Sequence, residues 1–186
     1  FANGAVTAAF ARAFGEAARV ASEAQHGANA GISYKQLKAL AAKVRGSFDA
    51  AHDMASEALG SYCASQGGCE PGVSEAHFEG TEFSWSKRLF FAKESEKSVG
   101  LTGAYVDRAG SAPRVVMFAG GIALQGNGTG PSALAEVLLH EFRHTTPGGS
   151  ILSQQYWNSR QPLPYLQRPH ETDAFRFSRE VMDHAR

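Results

Sequence analysis

The sequence has no excess of charge of either sign: 18 Lys and Arg stand against 18 Asp and Glu in 186 residues. The electrostatic footprint of a nucleic-acid binder is therefore missing, which counts against, without excluding, a nuclease or DNA-binding domain, and no nucleic-acid partner is expected. No apolar run approaches the roughly 20 residues that cross a bilayer, so no membrane partner is expected. No N-terminal stretch has the basic, apolar, small-residue order of a signal peptide. The chain begins at Phe1 rather than Met, which leads us to expect a piece of a longer protein, whose destination the absent leader does not indicate. A "GNGTG" loop lacks the Lys-Ser/Thr pair of a phosphate cradle and reads as a connector. Cysteine is scarce, with Cys63 and Cys69 in "YCASQGGCE". Either they bridge a Gly-rich loop formed in an oxidising compartment, or they are free thiols of a reducing one. A bridge is expected in protein exposed to air. There is no internal repeat.

The length suits one main domain over residues 31–186, preceded by a junction segment at 1–30. Residues 5–25 are Ala-rich with Phe10 and Phe14 on one helical face. Ser33 and Gln36 form a capping-box signature. Leu37, Leu40, Ala41, Val44, Phe48, Ala51, Ala55, Leu59 and Tyr62 then continue at helical spacing, predicting one long helix over about 34–64, bent at Gly46. Between about 77 and 124, short aromatic and β-branched runs ("HFEGTEFSW", "RLFFAKE", "GLTGAYVD", "RVVMFAGGIAL") alternate with turns, predicting a small antiparallel sheet. The expected class is α+β, with helices flanking that sheet.

What is present in quantity of chemistry is "SALAEVLLHEFRHTTPGG". Pro131 suits a first helical turn and no breaker follows before Pro147, so the stretch predicts a helix. His140 and His144 then share one face, with Leu134, Leu138 and Phe142 roughly opposite, set to bury against the sheet and leave the imidazoles in an open site. Residues four apart on a helix are close enough for two imidazole nitrogens to share one tetrahedral zinc ion. Glu141, one step round, can serve a water at the fourth position. The plainer alternative is a helix surface that carries two histidines and a solvated glutamate.

A third ligand has to arrive from elsewhere, and Glu171, His170, Asp173 and His184 compete for the place. They fall in "LQRPHETDAFRFSREVMDHA", where Pro169 again suits a helix start. Glu171 shares its face with Ala174, Phe175 and Ser178, and a small Ala174 permits the close approach that a metal bridge demands. The alternative for Glu171 is a first-turn acid favoured by the helix dipole. His184 lies nearly four turns on, and Asp173 is expected to accept a hydrogen bond from a ligand imidazole. His26, His52 and His77 lack partners at ligand spacing.

"HEFRH" followed by "ETDAFRFSREVM" resembles the ImmA/IrrE group of zinc peptidases over about residues 131–183. That resemblance implies a zincin-like fold with the HExxH motif on its active-site helix, and Glu171 as third ligand beside His140 and His144. The "TTPGG" after His144 departs from the group. Separately, "FANGAVTAAFARAF" at residues 1–14 resembles the segment that joins Rhs-repeat and similar polymorphic toxins to their C-terminal effector domains. It implies the toxic tip of a secreted protein, delivered into a target cell and countered by a cognate immunity protein.

The expected function is a zinc metallopeptidase effector acting in the target cytoplasm on a protein or peptide substrate. His140, His144 and Glu171 would hold Zn2+, and Glu141 would be general base towards the attacking water. The oxyanion donor is open among Tyr156, Tyr165, Arg168 and His170, with His170 ahead because it adjoins Glu171. The strand "RVVMFAGG" is expected to pair with extended substrate at a sheet edge. Two other readings compete: a zinc hydrolase of peptidoglycan peptides in the periplasm, and a non-catalytic target-binding domain.

Overall fold

The computed structural model describes residues 34–86, 91–95, 98–101, 104–108, 112–124, 129–159, 163 and 167–185. The helix expected at 5–25, the junction segment, His26 and Tyr165 lie outside these residues.

Two helices stand where one was expected, α1 (Tyr34–Gly46) and α2 (Phe48–Ser65). The break falls at Ser47, whose hydroxyl lies 3.1 Å from the Lys43 carbonyl and 2.9 Å from that of Thr129. A serine that binds carbonyls in this way offers the backbone an alternative to unbroken helix. Leu37, Ala41 and Val44 are the buried stripe of α1, at the spacing of one helical face. In α2 the buried positions are mostly small, Ala51, Ala55, Ser56 and Ala58 with Leu59, so later helices can approach it closely.

The loop after α2 is closed by a disulfide between Cys63 and Cys69, with Cα atoms 4.9 Å apart. Alkylation of the unreduced, denatured chain should therefore modify neither cysteine; modification of both would show the bridge to be absent. Ser74 then caps α3 (Glu75–Glu79), its Oγ accepting from the His77 N–H at 3.2 Å. This short helix occupies the start of what the sequence pattern assigned to a strand, and it delivers Phe78 to the core.

The strands are β1 (Glu82–Trp85), β2 (Phe91–Ser95), β3 (Ser98–Leu101), β4 (Ala104–Asp107) and β5 (Arg114–Met117). β2 and β3 pair antiparallel by themselves. The main sheet has the order β1-β5-β4 and is mixed, not antiparallel: β1 runs parallel to β5, while β4 runs antiparallel to it. Alternating patterns fix which residues face the core but not which strand lies beside which, so the direction of pairing was open to error. The order also corrects the substrate-edge expectation, since β5 is the central strand, flanked on both sides. Its buried Val115 and Met117 explain that position. "AGGIAL", read as part of the strand region, forms α4 (Ala119–Leu124).

Three helices complete the described chain: α5 (Pro131–Thr145), α6 (Pro147–Ser159) and α7 (Pro169–His184). Among the described residues the protein is mostly helical with one small mixed sheet, an α+β arrangement. α5 packs between α2 and α7, and Leu134, Leu138 and Phe142 are buried in the common core. The Phe142 ring meets Phe78 edge to face at 5.3 Å, which ties the motif helix to the segment after the disulfide loop.

Candidate metal centre

The two helices that carry the centre start alike. Pro131 and Pro169 each stand in the first turn, where the missing N–H costs nothing. α5 ends at Thr145, and a second helix begins almost at once. The Thr146 hydroxyl lies 2.7 Å from the Arg143 carbonyl and accepts from the Gly149 N–H at 3.3 Å, capping α6 with Pro147 in its first turn. The "TTPGG" departure is thus a helix-to-helix corner.

α7 lies over the face of α5 that carries the histidines, so these are not surface groups. His140 and His144 are 5% and 7% exposed, and Glu171 8%. This corrects the expectation of imidazoles directed away from packing: Leu134, Leu138 and Phe142 bury on one side of α5, and the histidines bury on the other. Ala174 and Ser178 are fully buried beneath this contact, as the close approach requires.

The Nε2 atoms of His140 and His144 are 3.2 Å apart. Glu171 Oε2 lies 3.2 Å from the first and 3.5 Å from the second. These three residues form a buried group that could hold a metal ion. His170 is drawn in as well, its Nε2 3.3 Å from the other Glu171 oxygen, Oε1. The two adjacent side chains therefore meet at the carboxylate, although their Cα positions diverge by about 100° around the helix. The Nδ1 atoms of His140, His144 and His170 are buried and have no hydrogen-bond partner.

The charges agree with a place for a cation. Burial pushes the Glu171 carboxyl up, but the bonds from His140, His144 and His170 outweigh it and hold the group well below the usual carboxylate range. Burial works against the charged form of His144, yet its bond to Glu171 and the charges of Glu141 and Glu171 leave it above the ordinary imidazole range. Glu141 is moved up by burial, reinforced by Glu171 and opposed by His140 and His144. Among these carboxyls, it is the neutral form of Glu141 that burial favours.

Asp173 is not the acceptor for a ligand imidazole. It receives Arg143 Nε at 2.6 Å and Arg176 at 2.9 Å, which leaves the imidazole Nδ1 atoms unpartnered. Sequence reasoning missed this use of Arg143, although its place inside "HEFRH" was a signal. It also missed Arg108, just beyond β4, which donates to the His144 carbonyl at 2.7 Å. Of the oxyanion candidates, Tyr156 sets its ring 5.0 Å from that of His170 and accepts from the Leu163 N–H at 3.4 Å. Arg168 spreads over the rings of Tyr156 and Trp157 at 5.6 and 5.7 Å. His52 packs among Phe48, Phe78 and Phe83, His77 lies 2.7 Å from the Ser74 hydroxyl, and His184 sits against Tyr62, each with its own neighbours rather than with the centre.

The chain matches no protein-family model, no curated protein and no solved structure.

Proposed function

We propose that this chain is a zinc-dependent peptidase with His140, His144 and Glu171 as ligands and Glu141 as general base. One observation carries the reading: the three ligand atoms are spaced 3.2, 3.2 and 3.5 Å apart. Bonds of about 2.0–2.2 Å to the corners of a tetrahedron place neighbouring donors about 3.3–3.6 Å apart. Two imidazoles and one carboxylate also make a donor set suited to zinc, with a fourth corner left for water or substrate.

Bound there, zinc would act as a Lewis acid towards water and a peptide carbonyl. The protein supplies the proton handling. Glu141, its carboxyl moved towards neutrality by burial, accepts a proton from the attacking water and returns it to the leaving amine. Enclosure between α5 and α7 keeps bulk water from the ligand atoms. His170 Nε2 braces the free oxygen of Glu171, so an oxyanion donor from this residue would have to be its Nδ1 side, which is buried and unpartnered.

Protein purified without chelator should carry about one zinc per chain and cleave protein substrate. A folded chain that takes up no zinc would instead be a target-binding domain without catalysis. Because His144 holds its proton above the ordinary imidazole range, zinc must displace that proton. Affinity should therefore fall as the pH drops from about 8 to about 6, with proton release on binding. Calorimetry in two buffers of different ionisation enthalpy measures this, and uptake without proton release contradicts it.

The toxin reading rests on the resemblance of residues 1–14 to the segments that precede polymorphic-toxin effector domains. On that reading the domain is delivered into a target cell, and an immunity protein encoded beside it blocks α5. A co-purified partner that contacts only residues 1–30 would contradict that placement. Toxicity only when the domain is exported would favour peptidoglycan peptides over cytoplasmic proteins as substrate.

A further inference from the structure

Arg143 lies between the ligands His140 and His144 in sequence, yet its side chain turns to the opposite flank of the centre. There it is 11% exposed and bound on two sides. Its Nε meets Asp173 Oδ2 at 2.6 Å, two residues beyond the ligand Glu171, and its NH1 pairs with Glu70. The guanidinium also stands 5.3 Å from the Phe177 ring centre. One arginine thus spans from the helix with two ligands to the helix with the third, and a carboxylate from a distant loop holds it in that pose.

That loop is the one closed by the disulfide. Glu70 directly follows Cys69, and Cys63 is in the last turns of α2. The Gly68 N–H bonds the Cys63 carbonyl at 2.8 Å, and Val73 is buried at the far end. In between, the loop rests on the corner that follows the motif. Gly72, at φ +82°, lies so close to Pro147 that a Cβ would come within 2.5 Å of its Cδ. A Cβ on Gly148 would stand 3.3 Å from the Glu70 carboxylate. Gly149 backs directly onto the Arg143 carbonyl, leaving no room for any side chain.

We infer that Glu70 is a positioning residue of the metal centre, held in place by the Cys63–Cys69 bridge, so that opening the bridge weakens metal binding through Arg143 and Asp173. The inference rests on the peptidase reading only in taking His140, His144 and Glu171 as ligands. With the bridge open, the glycine-rich stretch between the cysteines regains many conformations, and Glu70 spends less time at Arg143. Arg143 then keeps Asp173 alone, and the first turn of α7, with Glu171, is less firmly set against α5. Groups bonded directly to metal ligands typically contribute about 10–100-fold in affinity, and Glu70, which acts through Arg143 and Asp173, is expected at the low end of that range.

The test is zinc affinity of the full chain, read by competition with a chromophoric chelator. Four forms are compared: the unaltered oxidised chain, Glu70→Gln, the double variant Cys63→Ser/Cys69→Ser, and the three changes combined. Serines are used so that freed thiols cannot bind the ion. Glu70→Gln and the double cysteine variant are each expected to lose about tenfold or more in affinity. The combined form should be little worse than either, because both changes break one chain of contacts. Glu70→Asp should recover part of the loss, which a merely structural role in folding does not predict. Unchanged affinity in Glu70→Gln, or losses that simply add in the combined form, would overturn the inference while leaving the ligand assignment standing. No zinc binding by the unaltered oxidised chain overturns the metal reading and this inference with it.

Discussion

Glu141→Gln protein is expected to keep its fold and its zinc while losing about 10²–10⁴ of its peptidase rate, the range that a general acid-base group contributes. The amide has nearly the shape of the acid, so the packing of α5 between α2 and α7 should persist. What it lacks is the ability to take a proton from water and give it up again. Burial places the Glu141 carboxyl nearer neutrality than an exposed glutamate, while Glu171 is held ionised by three imidazoles. Two carboxyls of one centre are thus pushed in opposite directions, one towards proton exchange and one towards permanent charge. Measured rate and zinc content on the same preparation separate the roles. A Glu141→Gln protein that still cleaves at the unaltered rate would remove Glu141 from the mechanism.

The second large effect is a contrast between neighbours. Glu171→Ala deletes the only carboxylate among the three ligand atoms, and zinc affinity should fall by more than the ~10–100-fold typical of losing a ligand's hydrogen-bond partner. His170→Ala deletes such a partner, since its Nε2 reaches Glu171 Oε1 at 3.3 Å. It should keep zinc at micromolar or tighter affinity, weakened within that ~10–100-fold, and lose rate in addition if an imidazole N–H serves the oxyanion. Equilibrium dialysis followed by single-turnover cleavage of zinc-loaded protein gives both quantities. Loss of the metal in His170→Ala with retention in Glu171→Ala would reverse the assignment.

The centre was more legible in the sequence than the scaffold around it. Helical spacing puts His140 and His144 on one face, and Glu171 shares its own face with a small Ala174 that proves fully buried. Local periodicity carries that kind of information well. It carried less about Thr146-Pro147, where a proline read as a breaker is the first turn of a new helix capped by the threonine. The parallel pairing of β1 with β5 depends on which strands meet after 28 or more intervening residues, which no short window records. Asp173 was placed near the centre but with the wrong partner. Arg143, the stronger and charged donor, takes the acceptor that a neutral imidazole was expected to use.

The cover of α5 comes from earlier in the chain than the histidines that helix carries. Leu134, Leu138 and Phe142 share their core with Ala55, Leu59 and Phe78, all of which leave a ribosome before the motif does. Synthesis runs from the N-terminus and compact units can form as they emerge. The platform can therefore be in place before His140 appears, whereas Glu171 arrives nearly thirty residues after His144, at the start of the last helix described. A translating chain spends that interval with two imidazoles and no third donor. The grouping of His140, His144 and Glu171 is thereby deferred until α7 has been made, and any premature stop between 145 and 170 yields a product with a seat for α7 but without Glu171.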